Sequence, residues 1–83
     1  MSDENESLEK RVCAVAARTF EVDFGSVAPE LARGSLQAWD SIGHLNLMMD
    51  LEREFSVRFS TRQIEQLQSL TEIVAALVKE NVR

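Results

Sequence analysis

Apolar residues recur at helical spacing in four stretches of the chain. In the first, Leu8, Val12, Val15, Ala16 and Thr19 follow a 3.6-residue period, with Lys10, Arg11 and Arg18 on other faces. Phe20 closes this helix against the core, and the pattern is lost at Glu21. Ser7 or Asn5 is the expected cap, and residues 1–6 read as a polar, frayed end. The second stretch begins after Asp40 and runs to Phe55 or Ser56. It holds more apolar residues than one face needs. Leu47, Met48, Leu51 and Phe55 form a stripe suited to a core. Ile42, Leu45 and Met49, spaced i, i+3, i+7, form another, rotated well away from the first. A chain this small does not bury both stripes completely. A short third helix opens at Ser60, where Gln63 completes a capping-box pattern, and carries Ile64 and Leu67. Ser69 with Glu72 repeats the pattern, with Thr71 as a rival cap, and opens a fourth helix. Leu70, Ile73, Val74, Leu77 and Val78 supply its apolar face. Lys79 and Arg83 lie near its end, where the macrodipole favours cations.

Between the first two helices, from Glu21 to Trp39, Gly25, Pro29 and Gly34 interrupt any helix. A connection this long needs anchors or a function. Phe24, Val27, Leu31, Leu36 and Trp39 are the expected anchors, with a short turn around Pro29 to Arg33. No strand pattern survives. The fold class is all-α: a four-helix bundle of three main helices and one short one, with a long first loop, in a single domain over residues 1–83.

The totals narrow the chemistry. A domain of 83 residues buries roughly 60–65% of its unfolded surface, which leaves little core for a catalytic cavity. The formal net charge of −5 argues against binding nucleic acid through phosphates and against an anionic membrane surface, and favours partners with basic patches. The acidic N-terminus argues against a signal or transit peptide. No apolar run is long enough to span a bilayer. Cys13 is the single cysteine, so a reducing cytoplasm is the expected setting and the residue reads as a small packing group. With one Cys and one His, no structural zinc site is expected.

The candidate chemistry sits at the start of the second helix. Asp40 is a good cap, and Ser41 follows at the first helical position. A hydroxyl there, beside the second apolar stripe and followed by Asp50, Glu52 and Glu54, suggests a modified serine inside a docking surface. His44 lies three residues on, close enough to touch. A nucleophilic Ser–His pair would also need an orienting group and an oxyanion hole, and the sequence supplies neither, nor a Gly-x-Ser-x-Gly elbow. His44 is expected to pack partly against Trp39 or the core, or to point to solvent.

The stretch Asp40-Ser41-Ile42, followed by Leu45, Leu47, Met48, Met49, Leu51, Glu52 and Glu54-Phe55, resembles the acyl carrier protein family, whose motif is Asp-Ser-Leu opening a helix that ends in an acidic run and Phe. The likeness extends over nearly the whole chain, including the long first loop, the short third helix and the Ser-Leu-Thr-Glu-Ile segment at residues 69–73. It implies that a separate, magnesium-dependent phosphopantetheinyl transferase attaches 4′-phosphopantetheine from coenzyme A to Ser41, with Asp40 as motif and cap residue. The arm's thiol would hold acyl groups as thioesters, in fatty acid, lipid or polyketide biosynthesis. By the same resemblance Ile42, Leu45 and Met49 match positions that meet partner enzymes, and Leu47, Leu51 and Phe55 match core positions. The implied partners are the transferase, an acyl-loading ligase or acyltransferase, and synthases with basic docking patches, served by a monomer that is not itself an enzyme. Asp40, Asp50, Glu52 and Glu54 would steer a basic surface.

A helix N-terminus is electropositive, so a phosphodiester on Ser41 would sit in a favourable field; no basic residue is adjacent to it in sequence. Gly43 and Asn46 stand where acidic residues are usual, Arg53 interrupts the acidic run, and Ile42 replaces Leu. These departures set the chain apart from the commonest fatty-acid carriers, and Gly-His after the motif is a variation associated with dedicated stand-alone carriers. Gly43 either leaves room for the arm or a partner, or has no such role. Aminoacyl and peptidyl carriers remain an alternative, although they more often place a Gly-Gly pair before the motif. An unmodified helical adaptor, docking through the second helix, is the alternative of another class.

Overall fold

The chain begins its first helix earlier than its capping residues suggest. In the computed structural model, which describes residues 2–80 and the side chains of residues 7–80, α1 runs Ser2–Phe20. The expected cap at Ser7 or Asn5 gives way to continuous helix through both positions. The expectations for Met1 and Arg83 lie outside the described residues. A single 3-10 turn follows at Phe24–Ser26. The remaining helices are α2 (Ser41–Phe55), α3 (Thr61–Gln66) and α4 (Leu70–Lys79). Among the described residues there is no strand, and the architecture is a four-helix bundle. No helix among them is long and apolar enough to cross a membrane.

The capping chemistry accounts for the boundaries. Ser60 accepts from the Gln63 amide while Gln63 reaches back to the Ser60 amide, a complete capping box. Ser69 caps α4 by accepting from Glu72 N (3.2 Å), but Glu72 accepts from Gln68 N (2.7 Å), one residue before the cap. Thr71, the rival cap, instead donates to Pro29 O (2.8 Å). α1 and α2 end alike. Glu21 and Ser56 take left-handed φ values of 57° and 54°, and Val22 N and Val57 N donate back to Ala17 O and Glu52 O (3.0 and 3.1 Å). These are the six-to-one bonds that satisfy a helix's last carbonyls.

α1 packs against both α2 and α4. Leu8, Val12, Val15 and Ala16 meet Leu47, Met48, Leu51 and Phe55 of α2 and Leu70, Ile73, Val74 and Leu77 of α4, all buried. Val78, expected on the apolar face of α4, is exposed, and Ala76 is buried there instead. The radius of gyration, 11.5 Å, is close to the roughly 12 Å expected for this length.

The long connection is tied down by buried side chains and by hydrogen bonds. Of the expected anchors, Val27 and Trp39 are buried and Leu31 and Leu36 are half-buried, but Phe24 is 52% exposed because the 3-10 turn holds it outside the core. A second attachment is a strap across the bundle. Leu70 N donates to Leu31 O (3.0 Å) and Arg33 N donates to Gln68 O (2.7 Å), on either side of an antiparallel bridge between Ala32 and Ser69. Thus the loop supplies an acceptor for the first amide of α4, which has no partner within its own helix.

Cys13 lies in the α1 core face, 4% exposed. Burial pushes its thiol above the ordinary range, and the carboxylates of Glu9 and Glu30 push the same way. Because the thiolate is the reactive form, the native protein should react with iodoacetamide at pH 8 at least about tenfold more slowly than the urea-unfolded chain. Equal rates would show the thiol to be open. The linkage sign follows from the raised value: the stability contributed is complete below the unfolded-state pKa of about 8.5 and is lost as pH rises through the folded one.

Candidate functional site

The start of α2 is built from one capping residue, one glycine and one buried hydrogen-bonded pair. Asp40 is extended (φ −96°, ψ −163°), and its carboxylate accepts from Gly43 N at 2.8 Å. Its carbonyl accepts from His44 N at 2.8 Å. Asp40 therefore does the capping, and the Ser41 hydroxyl is left for another use. Ser41 occupies the first helical position and is exposed.

The fold brings Ser41 a cation that is not its neighbour in sequence. The Arg33 guanidinium donates from Nη2 to Ser41 Oγ at 2.6 Å. Arg33 is placed by the strap to Gln68 on one side. On the other, Gly34, at φ +93°, turns the chain and donates its amide to Trp39 O (3.1 Å). No basic residue is adjacent to Ser41 in sequence, and this arrangement brings one from eight positions earlier. Gly34 reads as a helix breaker in the sequence, but which side chain the loop brings to Ser41 depends on the pairing with residues 68–70.

Gly43 has a packing cause. A Cβ there would fall 1.9 Å from the Ala38 carbonyl oxygen and 3.1 Å from its carbon. The loop backbone fills the space, so Gly43 reserves none for an arm or a partner. Its role is to let the last turn of the loop lie against the first turn of the helix.

Below Ser41, Trp39 is buried and stacks on Phe20 with ring centroids 5.4 Å apart. Its indole Nε1–H donates to His44 Nδ1 at 2.9 Å. Indole is a donor only, so the His44 proton sits on Nε2, which donates to Ile64 O at 2.7 Å. His44 is thus 2% exposed and fully engaged, linking the end of the loop through α2 to α3. Of its expected placements the structure selects the one against Trp39. Its two ring nitrogens are occupied by Trp39 and Ile64, so neither serves as a base for Ser41.

Along α2, Ile42, Leu45 and Met49 are 71%, 50% and 51% exposed. The second stripe faces outward as its spacing predicts. The acidic residues are less free than their sequence suggests. Asp50 accepts from the Thr19 hydroxyl (2.6 Å) and lies 3.7 Å from Arg53. Glu52 accepts from Phe59 N (2.7 Å), holding the chain reversal after Ser56. Glu54 meets Arg11 (3.8 Å) and Arg18 (3.4 Å). Each carboxylate holds part of its own fold, and Arg11, Arg18 and Arg53 offset much of the local negative charge. No protein-family model matches the chain.

Proposed function

We propose that the chain is an acyl carrier protein, modified at Ser41 by 4′-phosphopantetheine and not itself an enzyme. The observation that carries this reading is the release of Ser41 from capping: Asp40 holds the helix start, and Ser41 presents an exposed hydroxyl beside the exposed stripe of Ile42, Leu45 and Met49. The residues fit the arm's phosphodiester, since the helix start is electropositive and the Arg33 guanidinium reaches the oxygen that would bear it. Attachment joins Ser41 Oγ to the phosphorus next to pantetheine in coenzyme A, expels the nucleotide half, and passes the hydroxyl proton to a base on the transferase. Once attached, the arm supplies a thiol that holds acyl groups as thioesters. Ile42, Leu45 and Met49 give partner enzymes a small apolar anchor. The partly neutralised carboxylates put more of the docking on that stripe than on charge. Specialised fatty acid, lipid or polyketide synthesis is the setting this favours.

The test is intact-protein mass after incubation with coenzyme A, magnesium and a broad-specificity phosphopantetheinyl transferase. A gain of one phosphopantetheinyl group is expected, with complete loss of that gain in Ser41→Ala and an unchanged helical spectrum. Loading that persists in Ser41→Ala would remove Ser41 from the account. A folded wild-type chain that gains nothing here or in lysate of its source organism would favour the unmodified adaptor.

A further inference from the structure

We infer that Arg33 is the residue that holds the phosphodiester on Ser41, and so sets the direction in which the attached arm leaves the protein. The inference rests on the carrier reading and adds a residue that no part of the Asp40-Ser41-Ile42 motif contains. Arg33 Nη2 already lies 2.6 Å from Ser41 Oγ. When that oxygen becomes an ester of phosphate, the guanidinium stands beside two non-bridging oxygens carrying a full negative charge. A guanidinium presents several donors in a planar fork that fits such a group, and a charged acceptor gives shorter, stronger hydrogen bonds than a hydroxyl.

The second support is the way Arg33 is fixed. Its amide is bonded to Gln68 O, the next residue turns back at Gly34 with a bond to Trp39 O, and Ala32 N is held by the Ser35 hydroxyl at 3.1 Å. An exposed arginine on a loose loop would offer only diffuse charge. This one rises from backbone pinned on both sides, one residue before the glycine whose amide is bonded to Trp39 O. The phosphate is therefore drawn toward the Arg33 side of the helix start, between the loop and the beginning of α4.

The test uses the full chain, converted to the loaded form and confirmed by mass. In the wild type, the Arg33 side-chain N–H signals should shift on loading, and their exchange with water should slow at least about fivefold, as expected when a donor passes from a hydroxyl to a charged acceptor. The phosphorus resonance should move in loaded Arg33→Ala, return only part of the way toward wild type in Arg33→Lys, which keeps the charge and loses the fork, and stay unmoved in Lys10→Ala, which makes the same change in net charge on α1. Arg33 signals that do not respond to loading, or a phosphorus resonance alike in all the loaded proteins, would overturn the inference while leaving the carrier reading intact. A wild type that takes no phosphopantetheine would overturn both. The wild-type measurement decides the matter even where a variant is not loaded.

Discussion

Trp39→Ala is expected to cost about 3–5 kcal/mol, the range for removing a large buried aromatic. A domain of this size has on the order of 4–12 kcal/mol to lose, so the variant should be unfolded in much lower urea than wild type, with a large part of the chain unfolded at 37 °C. The magnitude has two sources. One is the cavity left beside Phe20, whose ring stacks on the indole. The other is His44 Nδ1, which loses its donor in a site that is 2% exposed. Trp39→Phe weights the second source, because it retains most of the apolar volume while removing the N–H with the smaller ring of the indole. It should cost about 1–3 kcal/mol, the penalty for leaving a buried acceptor unsatisfied. Combining it with His44→Leu should cost less than the sum of the two single changes, since the residues act as one unit. Urea midpoints at constant slope are the measurement. A Trp39→Phe midpoint equal to wild type would mean that neither the indole N–H nor the smaller ring contributes measurably to stability.

Gly43→Ala is the second large effect, and its sign separates two arguments. Helix propensity alone favours alanine by up to about 1 kcal/mol. The structure opposes this, because the new methyl would lie 1.9 Å from a backbone oxygen of Ala38. The obstacle is main chain, so no side-chain rotation relieves it; either the loop or the helix start must move. Overpacking of this kind typically costs 1–3 kcal/mol, sometimes more. A net loss of about 2 kcal/mol is expected, equivalent to roughly 8–16 °C in Tm. Gly25→Ala is the control, because a Cβ there meets nothing within 4 Å, and its melting point should change little. A stabilised Gly43→Ala would show that the loop does not press on the helix start.

The parts legible in the sequence were those governed by neighbours in sequence. Asp40, Ser60 and Ser69 cap their helices through bonds three residues long, and such bonds leave a local signature. The two stripes of α2 separated cleanly because a single helical period fixes both. The parts that were not legible depend on pairing across the bundle. Arg33 reaches Ser41 only because its loop is paired with residues 68–70. Glu52 resembles any surface carboxylate until the chain turns back after Ser56 and brings the Phe59 amide to it. Phe24 had the composition of an anchor, but a 3-10 turn, set by the path of the whole loop, placed it outside. The function of Gly43 was likewise settled by a carbonyl five residues earlier, at a contact that no periodicity encodes.

The strap between Leu31–Arg33 and residues 68–70 has a kinetic consequence. Its two sides are separated by the whole of α2 and α3, so closing that span costs about 3 kcal/mol in chain entropy beyond a constant term. Its few backbone bonds return little until the helices are already in place, which puts the strap late in folding and makes it the first tie to open under stress. The geometry around Ser41 is therefore completed after the core, and it can relax and re-form while α1, α2 and α4 stay together. Order where Arg33 meets Ser41 is thus a separate, weaker equilibrium laid over the stability of the bundle.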